Sequence, residues 1–255
     1  MSACCRTERD GHVLLITLNR PEVLNSLNAS ACFELDRLFN DFEADPELWV
    51  AIITGEGDRA FCAGHDLADA PDAPMPVTGW AGLAARTSLH KPLIAAVNGV
   101  AYGGGFEIAL CCDIVIASQK ATFAMSEPRV GAVALGGGAQ RLALRVPSAI
   151  AMGLLLTGRR MEAAEAHRWG LVTELAPAGE TLEVARRWAG AILECAPLAV
   201  RFTKELALEA LEGGALPAQI LQRSRDVTAR LFQTADTHEG IRAFLEKRRP
   251  IWLGR

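Results

Sequence analysis

Two glutamates stand out because their surroundings hold few other charges. Glu107 lies in the apolar run FEIALCC just after the glycine triplet Gly103–Gly105, and Glu127 follows twenty residues later, between Phe123 and a second triplet, Gly136–Gly138. Carboxylates that face one another across a cleft can divide acid and base roles in proton transfer. Each also has a plainer role: Glu107 as a first-turn acid complementing a helix dipole, Glu127 as a loop acid paired with nearby Arg129. A glycine triplet after a strand permits close backbone approach and leaves N–H groups at a helix start aimed outward. Such donors can hold a developing oxyanion. The same triplet also serves tight packing of helix on strand, and spacing alone does not choose between the two.

Other chemistries find no matching residues. Neither triplet fits GxGxxG at a strand-to-helix turn or carries the GK[ST] of a phosphate loop, and GxSxG, HExxH and CxxC are absent. No metal site is expected. His65, in FCAGHDL, is either a general base or a side chain on a loop whose backbone matters; Asp66 beside it is expected to cap the following turn.

The elements that must position these residues can be read from the hydrophobic pattern. His12–Leu18, Trp49–Thr54, Leu93–Val97 and Ile114–Ala117 predict buried strands. Asn28 predicts an N-cap for a helix carrying Leu35, Leu38, Phe39 and Phe42 up to Asp45-Pro46, and each glycine triplet is expected to open a helix. Asp58–Leu67 reads as a loop, and the Pro/Ala-rich stretch 70–77 as mobile. Further on, Ser148 is expected to cap Ala149–Thr157, Met161–Trp169 to be helical, and Leu171–Leu175 to be a last short strand before an essentially helical remainder. Strand, helix, strand order predicts an α/β fold of parallel crossover units. The predicted division is an α/β core over 1–195 and a helical extension over 196–255.

Composition narrows the function classes. The chain has 255 residues, half hydrophobic, 22% charged and 6% aromatic, which excludes disorder, collagen and a disulfide scaffold. A net charge of −4 offers no broad basic field for nucleic acid or an anionic membrane, so neither is an expected partner. Seven cysteines, an odd number, with adjacent pairs at 4/5 and 111/112, point to free thiols in a reducing cytoplasm. The charged N-terminus and the interrupted apolar runs predict neither a signal peptide nor a membrane span.

Taken together, seven blocks resemble the crotonase superfamily, the enoyl-CoA hydratase/isomerase family. They are NRPEVLNSLN (19–28), AFCAGHDL (60–67), AAVNGVAYGGGFEIALCCD (95–113), FAMSEPRVG (123–131), GGGAQRL (136–142), LLLTGRRMEAAEAHRWGLV (154–172) and GIRAFLEKRRP (240–250), in the family's order. The resemblance implies a crotonase-like spiral of ββα repeats whose C-terminal helices drive formation of a homotrimer or a dimer of trimers. It implies acyl-CoA thioester substrates with no cofactor, since CoA is part of the substrate. Two backbone N–H groups, here those of His65 and Gly104, would polarise the thioester carbonyl. Glu107 would deprotonate water and Glu127 would protonate the α-carbon, giving a hydro-lyase that adds water reversibly, in syn fashion, to a 2-enoyl-CoA. Ala63, His65, Asp66, Leu67, Gly104, Phe244 and Lys247 would contact the CoA ester.

The chain departs from the family's usual pattern at His65, where alanine is common, at Ala68, where lysine often follows, and at Pro128-Arg129 and Ala134-Leu135. These departures leave the acyl group open, a carnitinyl-CoA dehydratase type of substrate included. Enoyl-CoA isomerisation and noncatalytic CoA-ester binding are the other readings.

Overall fold

The computed structural model describes residues 4–70, 73–87, 89–213 and 217–255. The stretch 70–77 therefore includes two residues, 71 and 72, that lie outside the described residues.

Runs of β-branched and small apolar residues form the longer strands: β2 (Val13–Leu18), β3 (Val50–Gly55), β5 (Leu93–Val97) and β7 (Ile114–Ser118). They lie parallel, with Ile53 opposite Ala95 and Ala96 opposite Ile116. β3 and β5 are buried along their whole length, as parallel strands covered on both faces must be. β10 (Glu174–Ala176) closes one edge in parallel and β1 (Cys5–Asp10) closes the other antiparallel to β2. A second sheet is built from very short strands, in the order β4 (Ala60–Cys62), β6 (Val100–Tyr102), β8 (Thr122–Ala124) and β9 (Met161–Glu162). Each of β3, β5 and β7 thus hands the chain to a short strand of the second sheet, and β6 leads on into helix α2 (Gly104–Cys111). This is the spiral of ββα turns, an α/β fold as expected. Asn98 secures the handover: its amide donates to Gly55 O (3.0 Å) and Gly57 O (2.7 Å), and its carbonyl accepts from Gly55 N (3.2 Å).

Helix α1 (Ala29–Ala44) buries Leu35, Phe39 and Phe42 completely on one side of the large sheet. Burial of each such side chain contributes about 1.5–3 kcal/mol. Asn28 Oδ1 caps α1 through Ala31 N (2.9 Å), as predicted, and Asp69 Oδ2 takes Ala29 N (2.7 Å). α3 (Gly138–Arg145), α4 (Ser148–Thr157) and α5 (Ala163–Arg168) follow the second triplet. α6 (Thr181–Leu193) covers the opposite face of the sheet with Ala185 and Ala189. α7 (Pro197–Gly213), α8 (Pro217–Leu231) and α9 (Ala235–Leu245) complete the chain. Arg201 and Lys204 of α7 bind Glu43 (2.9 Å) and Asp113 (2.7 Å), fastening that helix to the core.

Four expectations need correction. The 58–67 segment is not all loop, because Ala60–Cys62 pairs with Val100 and Ala101; three residues are too few to display a period. Met161 and Glu162 pair with β8 as a strand, so helix α5 begins only at Ala163. The last strand starts at Glu174 rather than Leu171, because Leu171 and Val172 N–H both turn back to Ala166 O at the end of α5. Ser148 is the first helical residue and makes no cap bond; Pro147 precedes it at the N-cap.

The carbonyl end of α1 is closed by a buried cation. Lys91, 2% exposed, donates to Phe42 O and Asp45 O, each at 2.6 Å. Lys91→Met leaves both carbonyls without that donor, and urea unfolding is expected to show a loss of about 2 kcal/mol.

Candidate active site

The loop after β4 is shaped by an unusual splint. Leu24 and Asn25 both hold left-handed backbone (φ 55° and 56°), a conformation that asparagine tolerates and leucine does not. Asn25 is buried and fully engaged: its amide donates to Ala60 O (2.8 Å) and Glu56 O (3.1 Å), and its carbonyl accepts from Arg20 N (3.1 Å). The splint then runs beside the loop, with Ala63 N on Leu24 O (3.0 Å), Leu27 N on Gly64 O (2.8 Å) and Asp66 N on Leu27 O (2.9 Å). Arg20 closes it through Asp66 Oδ2 at 2.8 Å. Asp66 Oδ1 caps the next turn through Ala68 N (3.1 Å), as predicted, and these contacts hold the Asp66 carboxyl below its usual range. This leaves His65 N–H, among the described residues, with no acceptor.

The first triplet divides its work. Gly103 takes left-handed backbone (φ 50°) and donates to Ala124 O (2.8 Å), while Gly105 lies so close to the Cys62 carbonyl that no Cβ would fit. Gly104 opens α2, and its N–H has no acceptor among the described residues. Its amide nitrogen lies only 3.0 Å from where a Cβ on Gly64 would sit, so the two loops touch at this point. Tight packing and outward N–H donors, the two readings of the triplet, are therefore both realised. Two unpaired donors, one at a helix N-terminus, thus stand on loops that touch, and such donors can stabilise an oxygen acquiring negative charge.

Trp80 walls this place. Its Nε1–H donates to Gly104 O (2.9 Å), and its ring lies tilted against that of His65 with centroids 5.5 Å apart. Nothing in the sequence pattern marks Trp80; its role arises only from tertiary placement.

Glu107 is 4% exposed and is seated by the second triplet: Gly138 N donates to its Oε1 at 2.8 Å. A Cβ on Gly136 would come within 2.5 Å of Glu107 Oε2, and one on Gly138 within 2.7 Å of its Cγ, so a side chain at either position would displace Glu107 from this seat. Burial raises the Glu107 pKa and the nearby Glu127 charge adds to this, while the Gly138 and Gly136 N–H groups and Arg141 oppose it. Glu127 reaches toward Gly103, its Oε1 lying 3.3 Å from where a Cβ there would sit. Its Oε2 is buried with no hydrogen-bond partner among the described residues, and burial raises its pKa. The expected pairing with Arg129 is not made; Arg129 Nε donates to Thr157 O instead (3.1 Å).

The structure thus gathers His65, Gly104, Glu107 and Glu127 into one cluster, with Ala63 half-buried behind it and Leu67 exposed beside it. Phe244 and Lys247 stand at the exposed C-terminal end of α9, with no hydrogen bond or ring contact to the cluster. Among the described residues no group of three or more His, Cys, Asp or Glu side chains is arranged to hold a metal.

Comparison with known proteins agrees with this geometry. Residues 8–255 match the family model described as enoyl-CoA hydratase/isomerase. The chain is 44% identical over 262 aligned positions to a carnitinyl-CoA dehydratase of Proteus mirabilis (strain HI4320) and 41% identical to one of Escherichia coli (strain K12), each covering all of both chains. Its structure superposes on an enoyl-CoA hydratase from Mycobacterium tuberculosis H37Rv with TM-score 0.93 at 39% identity over all of both chains. An enoyl-CoA hydratase from Bacillus anthracis gives TM-score 0.90 at 32% identity, covering 99% of this chain and all of that one. From Glu8 to the C-terminal residue, this chain belongs to the enoyl-CoA hydratase/isomerase family.

Proposed function

We propose that this chain is a hydro-lyase that adds water across the 2,3-double bond of an enoyl-CoA thioester and removes it again in the reverse direction. The observation that carries the reading is the pairing of two acceptor-less N–H groups with two carboxylates in unequal surroundings. With the thioester oxygen between His65 N–H and Gly104 N–H, charge that develops as the enolate forms is met by fixed donors. Glu107, with the Gly138 and Gly136 N–H groups and the Arg141 guanidinium supporting its charge, takes a proton from water as its oxygen bonds to C3. The π electrons move to C2 and the carbonyl. Glu127, whose Oε2 has no hydrogen-bond partner among the described residues and whose pKa burial raises, delivers a proton to C2. Dehydration reverses each transfer.

The reaction needs no cofactor, since CoA enters and leaves as part of the ester. Ala63, Asp66 and Leu67 border its path beside the oxyanion loop. Phe244 and Lys247 are far enough from the cluster to act on CoA across a subunit boundary. The exposed Phe232, Ile241, Phe244 and Leu245 support assembly of the helices after residue 196 into a homotrimer or a dimer of trimers. The seven free thiols suit the cytoplasm.

The identity to carnitinyl-CoA dehydratases over the whole chain favours a second choice of acyl group within the same chemistry. A carnitinyl thioester carries a quaternary ammonium, and the aromatic faces of Trp80 and His65 beside two carboxylates suit a cation of that kind. Rates on crotonyl-CoA and on its 4-trimethylammonio analogue, measured side by side, separate the two.

Loss of the conjugated enoyl-thioester absorbance of crotonyl-CoA tests the hydration itself. Glu107→Gln and Glu127→Gln are each expected to lower kcat by about 10²–10⁴-fold while CoA-ester binding stays close to that of the parent. A Glu107→Gln variant that keeps full activity on a 3-enoyl-CoA substrate would instead make the enzyme an isomerase.

Glu127, whose pKa burial raises, also predicts a pH signature in stability. A carboxyl whose folded pKa lies above its unfolded value, about 4.3, contributes fully below that value and loses its contribution as pH rises through the folded pKa. Glu127→Gln is therefore expected to melt above the parent at neutral pH, with the gap closing as pH falls toward about 4. Calorimetry across that range reads the difference.

A further inference from the structure

Arg141 lies in α3 and forms no ion pair among the described residues. Its guanidinium instead spans two segments that are remote in sequence: Nη1 donates to Gly136 O (2.9 Å) and Nη2 to Ala84 O (2.8 Å). Gly136 belongs to the turn whose Gly138 N–H seats Glu107. Ala84 belongs to the segment that carries Trp80, and so the wall bonded to Gly104 O. On its other side that segment is fixed to α1, where Asp36 accepts from Thr78 (2.5 Å) and Arg86 (2.7 Å). The tie from the Trp80 segment to α3 is Arg141.

We propose that Arg141 is a positioning residue for the hydration reaction, a clamp whose two N–H arms set the carboxylate seat of Glu107 and the Trp80 wall in one fixed relation. The inference rests on the function proposed above. A rigid planar fork fixes the relation between the two carbonyls it serves, whereas a lysine ammonium on a flexible stem sets no fixed geometry between its partners. Neither carbonyl reacts, so Arg141 acts only through the groups it holds. The charged and titratable groups facing Glu107 among the described residues are Glu127, Arg141 and, on its own helix, Cys111. Of these Arg141 is the one that favours the ionised carboxylate, and its removal also loosens the turn carrying the Gly138 N–H.

The test uses full-length Arg141→Met and Arg141→Lys with two readouts. The first is hydration of crotonyl-CoA: Arg141→Met is expected to lose about 10²-fold in kcat, the scale of a misplaced catalytic group, with KM nearly unchanged. The second needs no substrate: the titration midpoint of the ¹³C-labelled Glu107 carboxyl, assigned with Glu107→Gln, moves up in Arg141→Met, with Arg141→Lys between it and the parent. A folded Arg141→Met with parental kcat and midpoint overturns the proposal. So does a variant that melts earlier yet keeps the parental midpoint, since that is an arginine of structural use only. If Arg141→Met does not fold, Arg141→Lys decides: an intermediate kcat and midpoint support the clamp, and parental values of both overturn it. A parent enzyme that hydrates no enoyl-CoA would remove the proposed function while the carboxyl titration still judged the clamp.

Discussion

Two peptide N–H groups, those of His65 and Gly104, donate to nothing among the described residues, while the backbone groups beside them are all engaged. A buried donor left unpaired costs about 1–3 kcal/mol, so the backbone will shift to satisfy it unless every neighbouring bond prevents the shift. Here the neighbours do. Gly64 O and Asp66 N on either side of His65 are both taken by Leu27, and Gly103 N beside Gly104 is taken by Ala124 O. Gly104 O is held by the indole of Trp80. What remains free is the pair of donors alone, fixed in direction before any ligand arrives, which is the condition for stabilising a transition state without reorganisation.

The two carboxylates obey the same logic with opposite results. Glu107 is buried and Glu127 half-buried with its Oε2 enclosed, and burial disfavours the charge on each. Glu107 is then partly compensated by N–H groups of the second triplet, which only glycine at 136 and 138 allows to approach so closely. Glu127 receives no such compensation at Oε2. Two identical side chains thus sit in unlike surroundings because their neighbours differ, N–H groups and Arg141 beside Glu107 and an unpartnered oxygen on Glu127, and it is this difference that the proposed division into base and acid uses.

Much of this was legible in the sequence where a signal is local. Glu107 and Glu127 were visible as isolated acids, the long strands as buried apolar runs, and Asn28 as a cap, because composition and short-range spacing carry that information. The strands at 60–62, 100–102 and 122–124 escaped a reading by period because three residues span too little of one. The Glu127–Arg129 pairing failed because adjacency in sequence does not orient side chains; Arg129 turns to Thr157 O instead. Asn25 and Arg141 lie inside blocks that carry the family resemblance, yet nothing local marks what these two or Trp80 do. Each acts on a partner at least five residues away, and for Arg141 and Ala84 the separation is 57, so only the folded chain reveals the contact.

The distribution of backbone strain points to the same centre. Among the described residues four that are not glycine hold positive φ: Leu24, Asn25, Ala81 and Lys247. Three of these lie in the two segments bonded to the loops that carry the unpaired His65 and Gly104 N–H groups, the 24–27 splint and the Trp80 turn. Such conformations cost about 1–3 kcal/mol each and persist only where the surroundings over-determine them. Asn25 is over-determined by its three side-chain bonds, and the turn at Ala81 by the ties of Thr78 and Arg86 to Asp36 and of Arg141 to Ala84. Three of these four residues and the unpartnered Glu127 Oε2 therefore sit about one site, while β3 and β5 in the middle of the large sheet are buried along their whole length and hold none of them. That separation lets a fold of ordinary composition hold an electrostatically unfavourable arrangement at its centre without spreading the cost through the rest of the chain.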